Sequence, residues 1–191
     1  MRKMDAAARV PVESAEQWRE WLDEHAATSS GVWIVLWRPS TGRARLDYDD
    51  AIREALCFGW IDGQAKTLDD ERSMLWFAPR SARSAWAGTN KIRVEQLIAE
   101  GRMRPAGQRL IELAKQNGMW TVLDGPEAGI EPAELTTALD AVAAARAQWD
   151  DWPPGVRKAA MTSIAFARRP ETRDARIAKI VADAASGRRP G

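Results

Sequence analysis

The sequence predicts an α+β fold: a small antiparallel sheet packed against helices, with a mostly helical C-terminal half. Three observations carry this. Short runs of β-formers bounded by Gly and Pro are confined to the first 80 residues. Helical spacing with capping signals surrounds those runs. From Pro79 onward every periodic segment repeats at helical spacing.

Ser14-Ala15-Glu16-Gln17 has the spacing of a capping box, and Trp18, Trp21 and Leu22 follow at i, i+3 and i+4. This predicts a helix over 15–25, ended at Thr28-Ser29-Ser30-Gly31. Val32–Trp37 is an unbroken run of β-formers between Gly31 and Pro39, the pattern of a buried strand. Pro39–Gly42 is a loop. Asp47 precedes a second helical pattern (Ile52, Ala55, Leu56) closed by Gly59. Residues 60–66 and 74–78 read as two strands of a hairpin around the polar segment Asp69-Asp70-Glu71-Arg72.

Beyond Pro79, Thr89 or Asn90 starts a helix carrying Ile92, Leu97 and Ile98, closed by Gly101. Pro105 starts the next, with Leu110, Ile111 and Ala114 inward and Asn117-Gly118 at its end. Asp124–Gly129 has the composition of a linker. An alanine-rich helix is predicted over 133–149, another over 154–167 and a last over 171–185, with a disordered tail at 187–191. The expected organisation is an α+β core over 1–123 and a helical region over 130–187 packed on it as one unit.

Composition narrows the function classes. At 191 residues, 45% hydrophobic and 29% charged, the chain is of ordinary globular type. It can bury roughly 70% of its unfolded surface without a metal or disulfide staple. A net charge of +1 argues against a nucleic-acid partner. Arg80, Arg83, Lys91 and Arg93 near Trp86 are locally basic but match no nucleic-acid-binding motif. One cysteine, Cys57, permits no internal disulfide and suits a reducing compartment. The first eight residues lack a signal-type apolar run, and no stretch approaches a membrane span. A cytoplasmic location and no membrane partner are therefore expected.

No cofactor is implied, and metal binding fails on inventory. One His and one Cys cannot build a zinc site. The clusters Asp47-x-Asp49-Asp50 and Asp69-Asp70-Glu71 lack the glycine and distal glutamate of a calcium loop. Gly59-x-x-Asp62-Gly63 precedes a strand and lacks phosphate-loop spacing. His25 sits at a helix end, and Cys57 lies on an apolar helix face, where thiols are inert.

The composition is unusual in one respect: ten Trp against one Tyr and three Phe. Some of these rings are expected to line a pocket. Asp62 stands in an otherwise apolar strand and needs a partner, because an unpaired buried charge costs several kcal/mol. Arg80, just after Pro79, is the expected partner at a cavity rim, where its guanidinium would grip a carboxylate or phosphate. Ser84 and Asn90 would add hydrogen bonds, and Trp60, Trp76 and Trp86 would supply walls. The leading expectation is a small-molecule or peptide ligand in that pocket. An enzyme of unassigned type, with Asp62 as acid/base and Arg80 as anion clamp, is the alternative. A protein–protein module presenting Trp149 and Trp152 is the third.

The pattern Cys57-Phe58-Gly59-Trp60-Ile61-Asp62-Gly63 recurs with Ala78-Pro79-Arg80, Ser84-x-Trp86, Asn90, Gly101-x-Met103-x-x-Ala106-Gly107 and Gly118-x-Trp120. Further on come Pro154-Gly155-x-Arg157 and Glu171-Thr172-Arg173-x-x-Arg176-Ile177. Together these motifs resemble the YdeI/OmpD-associated family, from Trp18 to Gly187. The resemblance implies a bacteriocin-protection or stress-resistance role and association with an outer-membrane porin.

Overall fold

The computed structural model describes Met4 and residues 6–189. The remaining N-terminal residues, on which part of the leader reading fell, and Pro190 and Gly191 of the predicted tail lie outside the described residues. The fold is α+β, and the chain divides into two compact units. One comprises residues through Ser84 with Thr89–Asn117, and the other comprises Ala85–Gly88 with Gly118 onward.

The first unit is built on a four-stranded sheet of order β1-β2-β4-β3, from β1 (Arg9–Pro11), β2 (Val32–Trp37), β3 (Trp60–Thr67) and β4 (Arg72–Pro79). The β2–β4 and β4–β3 pairs are antiparallel, but β1 joins β2 in parallel, so the sheet is mixed. This strand escaped the sequence reading because it is three residues long and ends on a proline.

The sheet has two apolar faces. On one, Phe77 packs against Trp18 of α1 (Ala15–His25), ring centres 5.2 Å apart. On the other, Trp33, Val35, Met74 and Trp76 form a separate cluster. Ser14 caps α1 by accepting from the Gln17 N–H, and Asp47 caps α2 (Tyr48–Cys57) by accepting from the Asp49 N–H. The Trp18 Nε1–H donates to the Ala51 carbonyl at 3.0 Å, so one indole both fills the core and ties α1 to α2. Gly59, at φ +77°, turns the chain from α2 into β3.

From Thr89 on, α3 (Gly88–Ala99) belongs to this unit, and α4 (Pro105–Gln116) completes it. Ile92 and Ile98, read as helix-borne apolar residues, are 58% and 47% exposed. Ile111 and Ala114 are buried as expected.

In the second unit the predicted linker is a short helix, α5 (Asp124–Ala128), stopped by Gly129 in the left-handed region. The alanine-rich segment is not one helix. It breaks into α6 (Ala133–Asp140) and α7 (Ala143–Asp151), because Val142 adopts an extended conformation. The break lets Leu135 and Leu139 on one side, and Ala145 and Trp149 on the other, enter the same core. Burial of four apolar side chains outweighs the small propensity gain of a continuous helix. Helices α8 (Pro154–Ala165) and α9 (Pro170–Ala185) close this core with Met161, Ile164, Ile177 and Ile180. Gly187 and Arg188 of the predicted tail fold back as a helix cap, the Arg188 N–H donating to the Asp183 carbonyl at 2.9 Å.

Candidate functional site

Three of the seven predicted site residues lie in the hairpin, and its register decides what they face. Thr67 pairs with Ser73. Extended without interruption, that register would set Trp60 opposite Arg80 and on the Trp76 face. A bulge between Asp62 and Ala65 shifts the pairing by one, so Trp60 opposes Pro79 and Asp62 opposes Phe77. A one-residue slip moves a side chain to the other face of a sheet. Trp60 therefore stands on the α1 face, edge-on to Trp21 at 5.8 Å, with its Nε1–H donating to the Ala26 carbonyl. Trp76 lies on the opposite face against Trp33 at 5.4 Å. The two indoles do not wall one pocket.

The expected Asp62–Arg80 pair does not form either. The Asp62 carboxylate accepts from the Tyr48 hydroxyl at 2.8 Å, and no hydrogen bond or ion pair joins it to Arg80 among the described residues. Arg80 is 5% exposed. Burial pushes its guanidinium down to about 10, opposed by the field of Asp62. Ser84 closes a local turn with Ser81, its Oγ accepting the Ser81 N–H at 3.1 Å. The Asn90 side-chain oxygen accepts from Arg93, which also forks onto Asp49 at 2.6 and 2.8 Å. Trp86 belongs to the second unit, where it is buried against Trp120 at 5.2 Å. Trp149 and Trp152, the exposed patch of the protein–protein reading, are 0% and 3% exposed, so they present no docking surface. Burial pushes the Cys57 thiol above its ordinary value, which fits an unreactive core thiol. Among the described residues no group of three His, Cys, Asp or Glu side chains is placed to hold a metal.

The Tyr48–Asp62 contact has a titration signature. Burial, then the hydrogen bond to Asp62, push the Tyr48 phenol up to about 12 from 10.0. A phenol whose folded value is raised stabilises the fold fully below pH 10, and this contribution is lost as the pH rises through about 12. Tyr48 is the one tyrosine in the chain, so tyrosinate absorbance reports it alone. The expected midpoint is about 12, and the Asp62→Asn variant is expected to move it back toward 10.

Two concavities are lined by side chains of suitable chemistry, one within each unit. In the first unit, a groove of about 440 Å³ runs between the start of β3 and the outer face of α4. Phe58, Trp60, Pro79, Leu110 and Leu113 form its apolar walls, Ala26, Gly59 and Ala106 its floor, and Arg109 its one charged group. Its shape depends on Gly59, since a Cβ there would lie 2.6 Å from the Leu110 Cδ1. Of the seven predicted residues, Trp60 lines this groove, and Arg109 supplies the cation that had been assigned to Arg80. The string Cys57–Gly63 marked Phe58, Gly59 and Trp60. Helical spacing in α4 marks Leu110 as inward, and nothing in the sequence marks Arg109 or Leu113.

In the second unit, a cavity of about 230 Å³ is lined by Pro126, Glu127, Glu131, Trp149, Gly155, Arg157, Lys158 and Met161, among others. The Glu131 carboxylate accepts two bonds from Arg146, at 2.8 and 3.0 Å, and one from the Trp149 Nε1–H at 2.7 Å. The Arg146 guanidinium foremost, with Trp149, holds this carboxyl below its ordinary value. The Pro154-Gly155-x-Arg157 motif supplies three of the residues that line it.

No helix among the described residues is long and apolar enough to cross a membrane. No curated protein and no solved structure matches this chain. Two family models do. Residues 129–187 match the family described as Bacteriocin-protection, YdeI or OmpD-Associated, so that resemblance holds over the C-terminal part alone, without the stretch from Trp18. Residues 10–110, more than half of the sequence, match a different model, and the chain belongs to the family described as a domain of unknown function (DUF8412), with a YdeI/OmpD-associated segment following it.

Proposed function

We propose that this is a cytoplasmic binding protein of the stress- or resistance-related kind, and that it takes a small organic or peptide ligand in the groove beside Trp60. The observation that carries this is the groove itself. It has the volume of a small-molecule site, apolar and aromatic walls, and a single cation at Arg109. Arg109 is exposed where it lines the groove, and no hydrogen bond or ion pair holds it among the described residues, so its charge is available to an acidic end of the ligand. The name of the family matched by residues 129–187 supports the resistance role, and the single buried cysteine suits a reducing compartment.

Leu113 offers a clean test, because it lines the groove yet is already 37% exposed. Leu113→Glu should leave folding intact while placing a charge against the ligand's apolar body. A panel of small aromatic acids and short peptides, screened by thermal shift, is expected to give ligands that stabilise the wild type. None of these should stabilise Leu113→Glu. Ligands that stabilise both proteins equally would place binding elsewhere. The acid/base alternative gains nothing from the geometry, since Asp62 lines neither concavity and is held by Tyr48.

A further inference from the structure

The groove of the first unit presents a narrower chemistry than its volume alone gives. Its aromatic members form the back, with Trp60 1% and Phe58 8% exposed. The apolar side chains that meet solvent are aliphatic. Leu113 is 37% exposed, Pro79 is exposed, and Ala26, Ala106 and Leu110 are half-buried. Ala106, Leu110 and Leu113 stand at i, i+4 and i+7 on α4, so they form one stripe about 10 Å long. Arg109, exposed, lies one turn before Leu113 at the edge of that stripe. Among the described residues that line the groove no side chain is acidic. A planar ring needs an open flat face to stack on, and none stands at this surface. A flexible chain can follow a row of aliphatic groups, gaining a small contact at each.

We infer that the groove takes an unbranched aliphatic carboxylate, its carboxylate at Arg109 and its chain along Leu110, Leu113 and Pro79. This rests on the ligand-binding reading proposed above and names the chemistry that fills the site. The volume, about 440 Å³, equals that of roughly fifteen liquid waters, which gives room for a chain of about eight to ten carbons. The exposed position of Arg109 sets the scale of the charge contribution. In water such a pair adds about threefold to fivefold in affinity, so most of the binding comes from the chain.

The probes are butanoate, hexanoate and octanoate, titrated into the full chain by calorimetry below the concentrations at which they form micelles. Hexanol serves as the neutral match for hexanoate, and benzoate as the aromatic acid with as many carbons as heptanoate. Affinity for the wild type is expected to rise about twofold to fourfold with each added methylene. Hexanoate should bind about threefold more tightly than hexanol, and heptanoate more tightly than benzoate. Arg109→Gln is expected to erase the advantage of hexanoate over hexanol while keeping the gain per methylene and the melting temperature. Leu113→Glu, which sets a carboxylate on the chain's path, should bind none of the acids.

The inference is overturned if affinity does not rise with chain length, if benzoate binds as tightly as heptanoate, or if Arg109→Gln still prefers hexanoate over hexanol. Two failures are told apart by the same variants. If screened ligands stabilise the wild type and not Leu113→Glu while no alkyl acid binds, the groove is a site of different chemistry and this inference alone falls. If octanoate binds Leu113→Glu as tightly as the wild type, the alkyl acid sits elsewhere and the inference falls as well.

Discussion

Glu54→Ala is expected to destabilise the protein by about 3 kcal/mol. The Glu54 side chain is 3% exposed and sits between two arginines. Arg19 Nη1 donates to it at 2.8 Å, and Arg102 donates to its other oxygen. Arg19 also reaches the Arg102 carbonyl at 3.2 Å and lies over the Phe58 ring, its Cζ 5.7 Å from the ring centre. One carboxylate of α2 thus fastens α1 to the turn between α3 and α4. Removing it leaves two guanidinium groups facing each other across a partly dry space. The expected cost is at the lower end for a broken buried pair, because Arg19 and Arg102 keep 25% and 36% of their side chains in solvent and can turn outward. Glu54→Gln keeps the shape and one acceptor while losing the charge, and should fall between the wild type and Glu54→Ala. Urea unfolding with an unchanged slope measures both, and a loss below about 1 kcal/mol for Glu54→Ala would mean that this carboxylate does not hold the helices together.

The second large effect reverses what helix propensity alone would give. Gly107 lies inside α4, where glycine costs about 1 kcal/mol relative to alanine, so Gly107→Ala would stabilise an isolated helix. In the folded chain a Cβ at this position would lie 2.4 Å from the Cys57 carbonyl oxygen and 2.8 Å from that of Leu56. These are backbone atoms at the end of α2, and the Cys57 carbonyl already accepts from the Arg104 N–H at 3.0 Å. Neither can rotate aside, so α4 must slide away from α2. The expected result is a net loss of about 3 kcal/mol. Thermal or urea unfolding checks the sign first, and stabilisation would show that the close approach of α4 to α2 is not required.

Much of the fold was legible in the sequence because its signals are local. Ser14 and Asp47 are helix caps, Gly59 is a stop, and Val32–Trp37 is a buried strand, each decided by residues within a few positions of itself. What escaped depends on partners distant in sequence. The parallel pairing of β1 is invisible in three residues, and the break at Val142 exists because Trp149 and Leu139 share one core. The candidate site shows this most sharply. Both Trp60 and Trp76 were rightly placed on strands, but which face each indole occupies turns on the bulge between Asp62 and Ala65. Gly63 within it hints at an irregularity without giving its direction. That slip separates Trp60 from Trp76 and sets the Trp60 indole beside α1. Arg109 and Leu113 were missed because they lie on the outer face of α4, where polar and apolar residues alternate without a pattern that marks a groove.

Whether a ligand seats against Trp60 can be read from the indole itself. With 5-fluorotryptophan incorporated throughout, ¹⁹F NMR distinguishes the ten tryptophans, and Trp60→Phe identifies the resonance of interest by its loss. A ligand found in the thermal-shift screen is expected to move the Trp60 resonance in a saturable way and to leave those of Trp33 and Trp76, on the far face of the sheet, in place. A ligand that stabilises the protein while the Trp60 resonance stays fixed would contradict binding in the groove.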